Sequence, residues 1–244
     1  ANNKLHPRPE AQALYASVEQ VYRGVQRIDD VAHQLKDGLG MQLRIAASPS
    51  LSLEIVPQAI AALGQRFAQA RIYVETLLAR DMVAQLATGQ ADIGICTAAI
   101  DNALLRTEAV GAWSLVCAFR ADHALARHTA IRAEDLAGER LIRFGPETPQ
   151  GQWMAHWCAA NPQLALASVE VRSGQLACSL AGCGMGVAVV DNLTARAWRS
   201  HSLVFRPIVD APSYQVVVAR GENAPASVLL ESLTELVRSR LAAG

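Results

Sequence analysis

A chain of 244 residues, 51% hydrophobic and 18% charged, can bury a large core as one large domain or two small ones. Lysine plus arginine equals aspartate plus glutamate at 22 each, which argues against a wide positive face gripping nucleic-acid phosphates and points to a small or proteinaceous partner. No uncharged run approaches the roughly 18 apolar residues that span a bilayer, so no membrane partner is expected.

The chain opens Ala1-Asn2-Asn3-Lys4, without Met and without a basic region leading into an apolar stretch. It does not resemble a secretory precursor, and a cytoplasmic setting is expected. Pro7 and Pro9 exclude a helix through residues 5–9, but residues 10–35 lack proline and are rich in helix formers. Within that helix Leu14, Val18, Val21, Val25, Ile28, Ala32 and Leu35 are spaced alternately four and three apart. A strict 3.5-residue period fits the seam of a coiled coil and predicts dimerisation, whereas an amphipathic helix lying on its own domain would drift toward 3.6. Gly38 and Gly40 end this stalk, so residues 1–38 form its unit.

From Met41 short β-rich runs alternate with helical stretches, which predicts an α/β body with a largely parallel sheet. Strands are expected at residues 43–47, 72–75, 92–96, 113–119, 141–144, 168–171, 186–190, 203–205 and 214–219. Helices are expected at 51–68, 82–88, 150–160, 175–181, 193–199 and 227–241. Open α/β sheets bind ligands at the carboxyl ends of their strands, beside helix N-termini that attract anions. Three such ends carry small polar residues: Ser48-Pro49-Ser50 before a helix at Leu51, Thr76, and Ser173-Gly174 before another helix. Each alone reads equally as an N-cap; together they suggest a carboxylate site.

The six histidines are scattered, with no HExxH, no GxSxG and no pair at metal-ligand spacing, so neither catalysis nor a metal or other cofactor is expected. Gly182-Cys183-Gly184-Met185-Gly186 precedes a strand rather than following one, so it reads as a helix stop and turn, not a dinucleotide loop. The five cysteines include no CxxC pair and lie in apolar stretches, as reduced core residues do; a redox pair of Cys178 and Cys183 is the lesser alternative.

These residues fall in an order that resembles LysR-type transcriptional regulators from the end of the wing onward, over essentially the whole chain. Leu5-His6-Pro7-Arg8-Pro9-Glu10-Ala11 resembles the segment leading into the linker helix, with Arg8 where the family often has threonine. The run from Leu43 to Leu51 resembles the first sensor strand and its ligand loop, with Val56-Pro57 and Phe67 in the helix after it. Gly89-Gln90-Ala91-Asp92-Ile93-Gly94-Ile95, then Asp135-Leu136-Ala137-Gly138 with Leu141-Ile142, and Val187 to Asp191 match three further family segments.

The resemblance implies a type-2 periplasmic-binding-protein-like fold: two Rossmann-like α/β subdomains joined by two crossing strands and preceded by a long linker helix. Subdomain I would take residues 41–120 plus 208–244, and subdomain II residues 121–207. Effector contacts implied residue by residue are Ser48, Ser50 and Leu51, Thr76 and Leu77, and Thr97 near the cleft floor. Phe144, Gly145 and Pro146, with Ser173 and Gly174, would form the opposite wall. The implied partners are a small-molecule effector, a second or further copies in a homodimer or homotetramer, and promoter DNA through a winged helix-turn-helix preceding Ala1. The family's peroxide-sensing branch uses two cysteines in the second subdomain, and residues 144–154 hold none. Two rivals share the scaffold, a transporter's solute-binding protein and an enzyme; the 4-3 stalk speaks against the first and the strand-end hydroxyls against the second.

Overall fold

The computed structural model describes residues 42–164, 167–198, 202–222, 224 and 227–243, together with Arg8, Tyr15, Val18 and Tyr22. Tyr15, Val18 and Tyr22 are helical and exposed, Val18 at 57%. The other seam positions, Leu14, Val21, Val25, Ile28, Ala32 and Leu35, lie outside the described residues.

The body contains strands β1 (Gln42–Ala47), β2 (Arg71–Thr76), β3 (Ile93–Cys96), β4 (Leu105–Arg120), β5 (Leu141–Phe144), β6 (Ala167–Val171), β7 (Val187–Asp191), β8 (Leu203–Pro207) and β9 (Ser213–Gly221). Its helices are α1 (Ile55–Arg66), α2 (Ala79–Ala87), α3 (Pro149–Ala160), α4 (Gly174–Gly182), α5 (Asn192–Ala197) and α6 (Val228–Ala242). The strand order β2-β1-β3-β9-β4-β7-β5-β6, with β8 also on β4, divides at β4 into two lobes. The first lobe is parallel through β2, β1 and β3, then antiparallel through β9 and the first part of β4. The second is parallel through β6, β5 and β7, closed by the antiparallel end of β4 and by β8.

Side-chain alternation along the strands explains why helices cover both faces. Leu43, Ile45, Ala47, Ile93, Ile95, Val216 and Val218 join one core with Ile55, Val56 and Leu63 of α1 and Leu229, Leu233 and Val237 of α6. Ala46, Cys96, Val217 and Ala219 face the other way, onto Met82 and Leu86 of α2. In the second lobe Cys117, Phe119, Val187 and Val189 share the first core with Met154 of α3, while Val116, Ala118, Ala188 and Val190 meet Ala177, Cys178 and Ala181 of α4.

Gly94 shows how close this packing is: a Cβ there would stand 2.7 Å from the Met82 sulfur and 2.8 Å from the Leu86 Cδ1, so those two side chains would have to shift. Beside it Asp92 accepts from the Arg44 amide at 2.8 Å, and the Asp92 amide donates to the Arg44 carbonyl at 2.9 Å, locking β1 to the entry of β3. The aspartate-to-glycine motif is therefore a fastening of the first sheet. The glycine run also behaves as read: α4 stops at Gly182, Gly184 and Gly186 take positive φ, and β7 follows.

Two elements differ from expectation. β4 runs sixteen residues rather than seven, because the charged segment Arg106–Glu108 belongs to it. Those charges find partners on the sheet surface: Arg106 pairs with Glu222 at 2.7 Å, and Glu108 pairs with Arg238 of α6. The helix expected from Leu51 begins instead as a 3-10 turn, Leu51–Leu53, with α1 starting at Ile55.

β4 exchanges partners between Ser114, paired with Ser213 of β9, and Leu115, paired with Asp191 of β7. The chain returns between β8 and β9. These two crossings are the covalent connection between the lobes, and a cleft opens beside them.

Candidate functional site

Both lobes wall a cleft of about 290 Å³, near the lower end of small-molecule sites. Ser48, Ser50, Cys96, Thr97 and the start of α2 face it from the first lobe; Phe144, Glu147, Gln150, Arg172, Gly174, Asp191 and Thr194 face it from the second. Every one of these sits at the carboxyl end of a strand or in the first turn of the following helix, where the topology collects free backbone donors.

Ser48, 4% exposed, is held by its backbone amide on the Ile95 carbonyl at 2.9 Å. Its hydroxyl accepts from the Thr97 amide at 3.2 Å and lies 3.6 Å from the Cys96 sulfur. The Thr97 carbonyl in turn accepts from the Trp113 indole at 2.9 Å. Trp113 stacks on Tyr214 with ring centroids 4.5 Å apart, and the Tyr214 hydroxyl donates to the Pro149 carbonyl at 3.4 Å. The crossing strands thus tie the cleft floor of one lobe to the first turn of α3 in the other.

On the far wall Thr148 caps α3, accepting from the Gly151 amide at 3.0 Å and donating to the Gly145 carbonyl at 3.0 Å. Gln150, 9% exposed, has no side-chain hydrogen-bond partner among the described residues and faces the cleft. Its amide atoms are therefore reached from the cleft; among the described residues the buried side-chain nitrogen without a partner is the Trp198 indole. Asp191, 3% exposed, caps α5 by accepting from the Thr194 amide at 2.7 Å and the Thr194 hydroxyl at 3.0 Å. Burial raises its carboxyl above the usual range, opposed by the Thr194 donors and the Ser50 hydroxyl.

A mostly buried ion pair bridges the lobes behind the cleft. Arg196 of α5 donates through Nε to Glu54 Oε2 at 3.1 Å and through Nη2 to the Arg240 carbonyl at the end of α6 at 3.0 Å. We expect Arg196→Ala to destabilise the chain by about 2 kcal/mol, less than a fully buried pair because part of the guanidinium is wet. Urea unfolding checks this; a change within about 0.5 kcal/mol, the range of ordinary surface substitutions, would mean the pair contributes little.

Of the residues expected at the site, Ser48, Ser50, Thr97, Phe144 and Gly174 line the cleft. The others lie elsewhere. Leu51 is fully buried in the core, and Leu77 packs with Met82 and Leu86 beneath α2. Thr76 donates to the Ser52 hydroxyl at 3.2 Å, Pro146 is exposed, Gly145 contributes its carbonyl to the Thr148 cap, and Ser173 caps α4. Sequence reasoning missed Gln150, Arg172, Asp191 and Thr194. Two of them carried a local signal: Thr148-Pro149 is a helix start, and Asp191 stands three residues before Thr194 as a cap does. The redox alternative loses support as well, since burial pushes the Cys178 thiol up to about 12, away from reactive thiolate.

Residues 36–242 match the family described as the LysR substrate binding domain. The chain belongs to that family. The regulatory protein NocR of Agrobacterium tumefaciens is 27% identical over 94% of this chain and 77% of its own length. The octopine catabolism/uptake operon regulatory protein OccR of Rhizobium meliloti is 29% identical over 96% of this chain and 77% of its own. Among solved structures, the BenM effector-binding domain with its effector benzoate superposes with a TM-score of 0.72 at 21% identity, covering 84% of this chain and 94% of that one. The two lobes and their crossing strands are accordingly the type-2 periplasmic-binding-protein-like fold of LysR effector-binding domains. No helix among the described residues is long and apolar enough to cross a membrane.

Proposed function

We propose that the cleft binds a small carboxylate, in a cytoplasmic regulator whose DNA-reading head lies outside these 244 residues. The unpartnered Gln150 amide in the first turn of α3 carries this reading, because it offers donors to a ligand beside a helix N-terminus. BenM with benzoate favours an organic acid, and OccR, a relative named for octopine catabolism and uptake, favours one of amino-acid or opine type. Ligand bridging both walls favours the closed arrangement, and rotation about the crossing strands passes to the stalk. The exposed helical residues Tyr15, Val18 and Tyr22 support a stalk paired with a second copy, as a homodimer or within a homotetramer. The proposed units are residues 1–38, 41–120 with 208–244, and 121–207, except that the end of β4 from Leu115 pairs within the second lobe. Family membership favours regulation over transport or catalysis.

Thermal unfolding against amino acids, opines and short organic acids tests this. A ligand at about 100 times its Kd adds roughly 2.7 kcal/mol, and Ser48→Ala should remove at least half of that by freeing the Thr97 amide from its acceptor. A stabilising ligand whose effect is unchanged in Ser48→Ala would place the site elsewhere.

A further inference from the structure

Positive charge in the cleft is already engaged. Among the described residues that line it, the cations are Arg80 from the first lobe and Arg172 from the second, and each stands beside a carboxylate of its own lobe. Arg80 Nε lies 3.7 Å from Asp81 Oδ1 with its side chain 95% exposed, so that pair is loose, wet and weak. Arg172 Nε lies 2.8 Å from Glu147 Oε1. The Glu147 carboxylate reaches it by folding back over the turn after β5: a Cβ at Gly145 would stand 2.8 Å from the Glu147 carboxyl carbon, so glycine at that position leaves room for it. Arg172 follows β6 and Glu147 follows β5, so the pair joins the two strand-end loops that build this wall.

Arginine recognises carboxylates strongly because its planar fork offers parallel donors. A ligand carboxylate that turns to Arg172 finds Glu147 there first, and two carboxylates at one guanidinium repel each other. Deepening the carboxylate reading of the cleft, on which it rests, we propose that Glu147 is a built-in competitor: it holds Arg172 in place of the ligand, and binding exchanges its carboxylate for the ligand's. The exchange frees the residue next to Thr148, the cap of α3, and unties the loop after β5 from the loop after β6. Ligand affinity is then a difference between two carboxylates competing for one arginine.

Titration calorimetry of the whole chain with glutarate, pentanoate, arginine and its N-carboxyethyl derivative tests this. Each acid that binds should bind about threefold tighter or more to Glu147→Gln, which removes the charge and keeps the length. It should bind about tenfold weaker or more to Arg172→Met. With Arg172→Met in place, adding Glu147→Gln should leave affinity within about twofold, because nothing remains to compete for. Asp81→Asn removes a charge from the same cleft without freeing Arg172 and should also stay within about twofold. Affinity unchanged or lowered in Glu147→Gln would overturn the exchange and leave the carboxylate cleft standing. So would an equal gain in Asp81→Asn, which would make the effect one of general charge. A gain that persists in the double variant would overturn the competition for Arg172. Failure of every acid to bind any of these chains would overturn the carboxylate cleft and this reading with it. Were Arg172→Met not to fold, Glu147→Gln compared with Asp81→Asn would still decide.

Discussion

Trp113→Ala is expected to destabilise the chain by about 3–5 kcal/mol, the cost of emptying a large buried aromatic site. Trp113 is 1% exposed, stacks on Tyr214 and donates to the Thr97 carbonyl, and it sits just before β4 passes from one lobe to the other. The truncation therefore removes apolar contact from the core, a ring from the stack and a donor from the cleft floor together. Trp113→Phe separates these contributions. It keeps most of the packing but leaves a carbonyl without its donor, so about 1–2 kcal/mol is expected. Urea unfolding of both variants measures the difference, and an alanine variant no less stable than the phenylalanine one would show that the stack contributes nothing.

The pattern of elements was legible because alternation along a strand and the 3.6 period of a helix are local properties. Leu43, Ile45 and Ala47 declare a buried face without reference to any other part of the chain. The start of β4 is hidden from sequence because Arg106, Thr107 and Glu108 break the apolar pattern, and the partners of its two charges lie far away, at Glu222 and Arg238. The site divides the same way. Ser48, Ser50 and Thr97 stand at strand ends visible in sequence, whereas the relation of Asp191 to Gln150 exists only after β4 has crossed and β7 has paired with it at Leu115. Nor does sequence reveal that Arg172 pairs with Glu147 at the cleft rim, a contact that needs three-dimensional geometry.

The linkage between cleft and crossing strands has a consequence for signalling. Ser48, Thr97, Trp113, Tyr214 and Pro149 form a chain of contacts from one wall, through both crossing segments, to the other wall. A ligand that alters the distance between walls must strain or relieve these contacts, and differential contact of that kind is what lets binding shift a conformational equilibrium.

Gly151 gives the sharpest test of how tightly the second wall is built. Alanine is ordinarily the better helix former by about 1 kcal/mol, so Gly→Ala within a helix should stabilise. Gly64 in α1 meets that condition, with nothing within 4 Å of an added Cβ, and Gly64→Ala should gain about 0.5–1 kcal/mol. At Gly151, in the first turn of α3, the same methyl would stand 1.9 Å from the Gly145 carbonyl oxygen and 2.8 Å from that of Phe144. Backbone cannot swing aside as a flexible side chain can, so α3 must part from the loop that Thr148 fastens to it. A loss of about 1–3 kcal/mol is expected, opposite in sign to Gly64→Ala. Phe144 and Gln150 lie on either side of the displaced contact and both line the cleft, so ligand stabilisation should fall with it. If Gly151→Ala instead unfolded like Gly64→Ala, at higher denaturant than the unaltered chain, the close approach of α3 to the Phe144–Gly145 loop would be wrong, and the wall built on it with it.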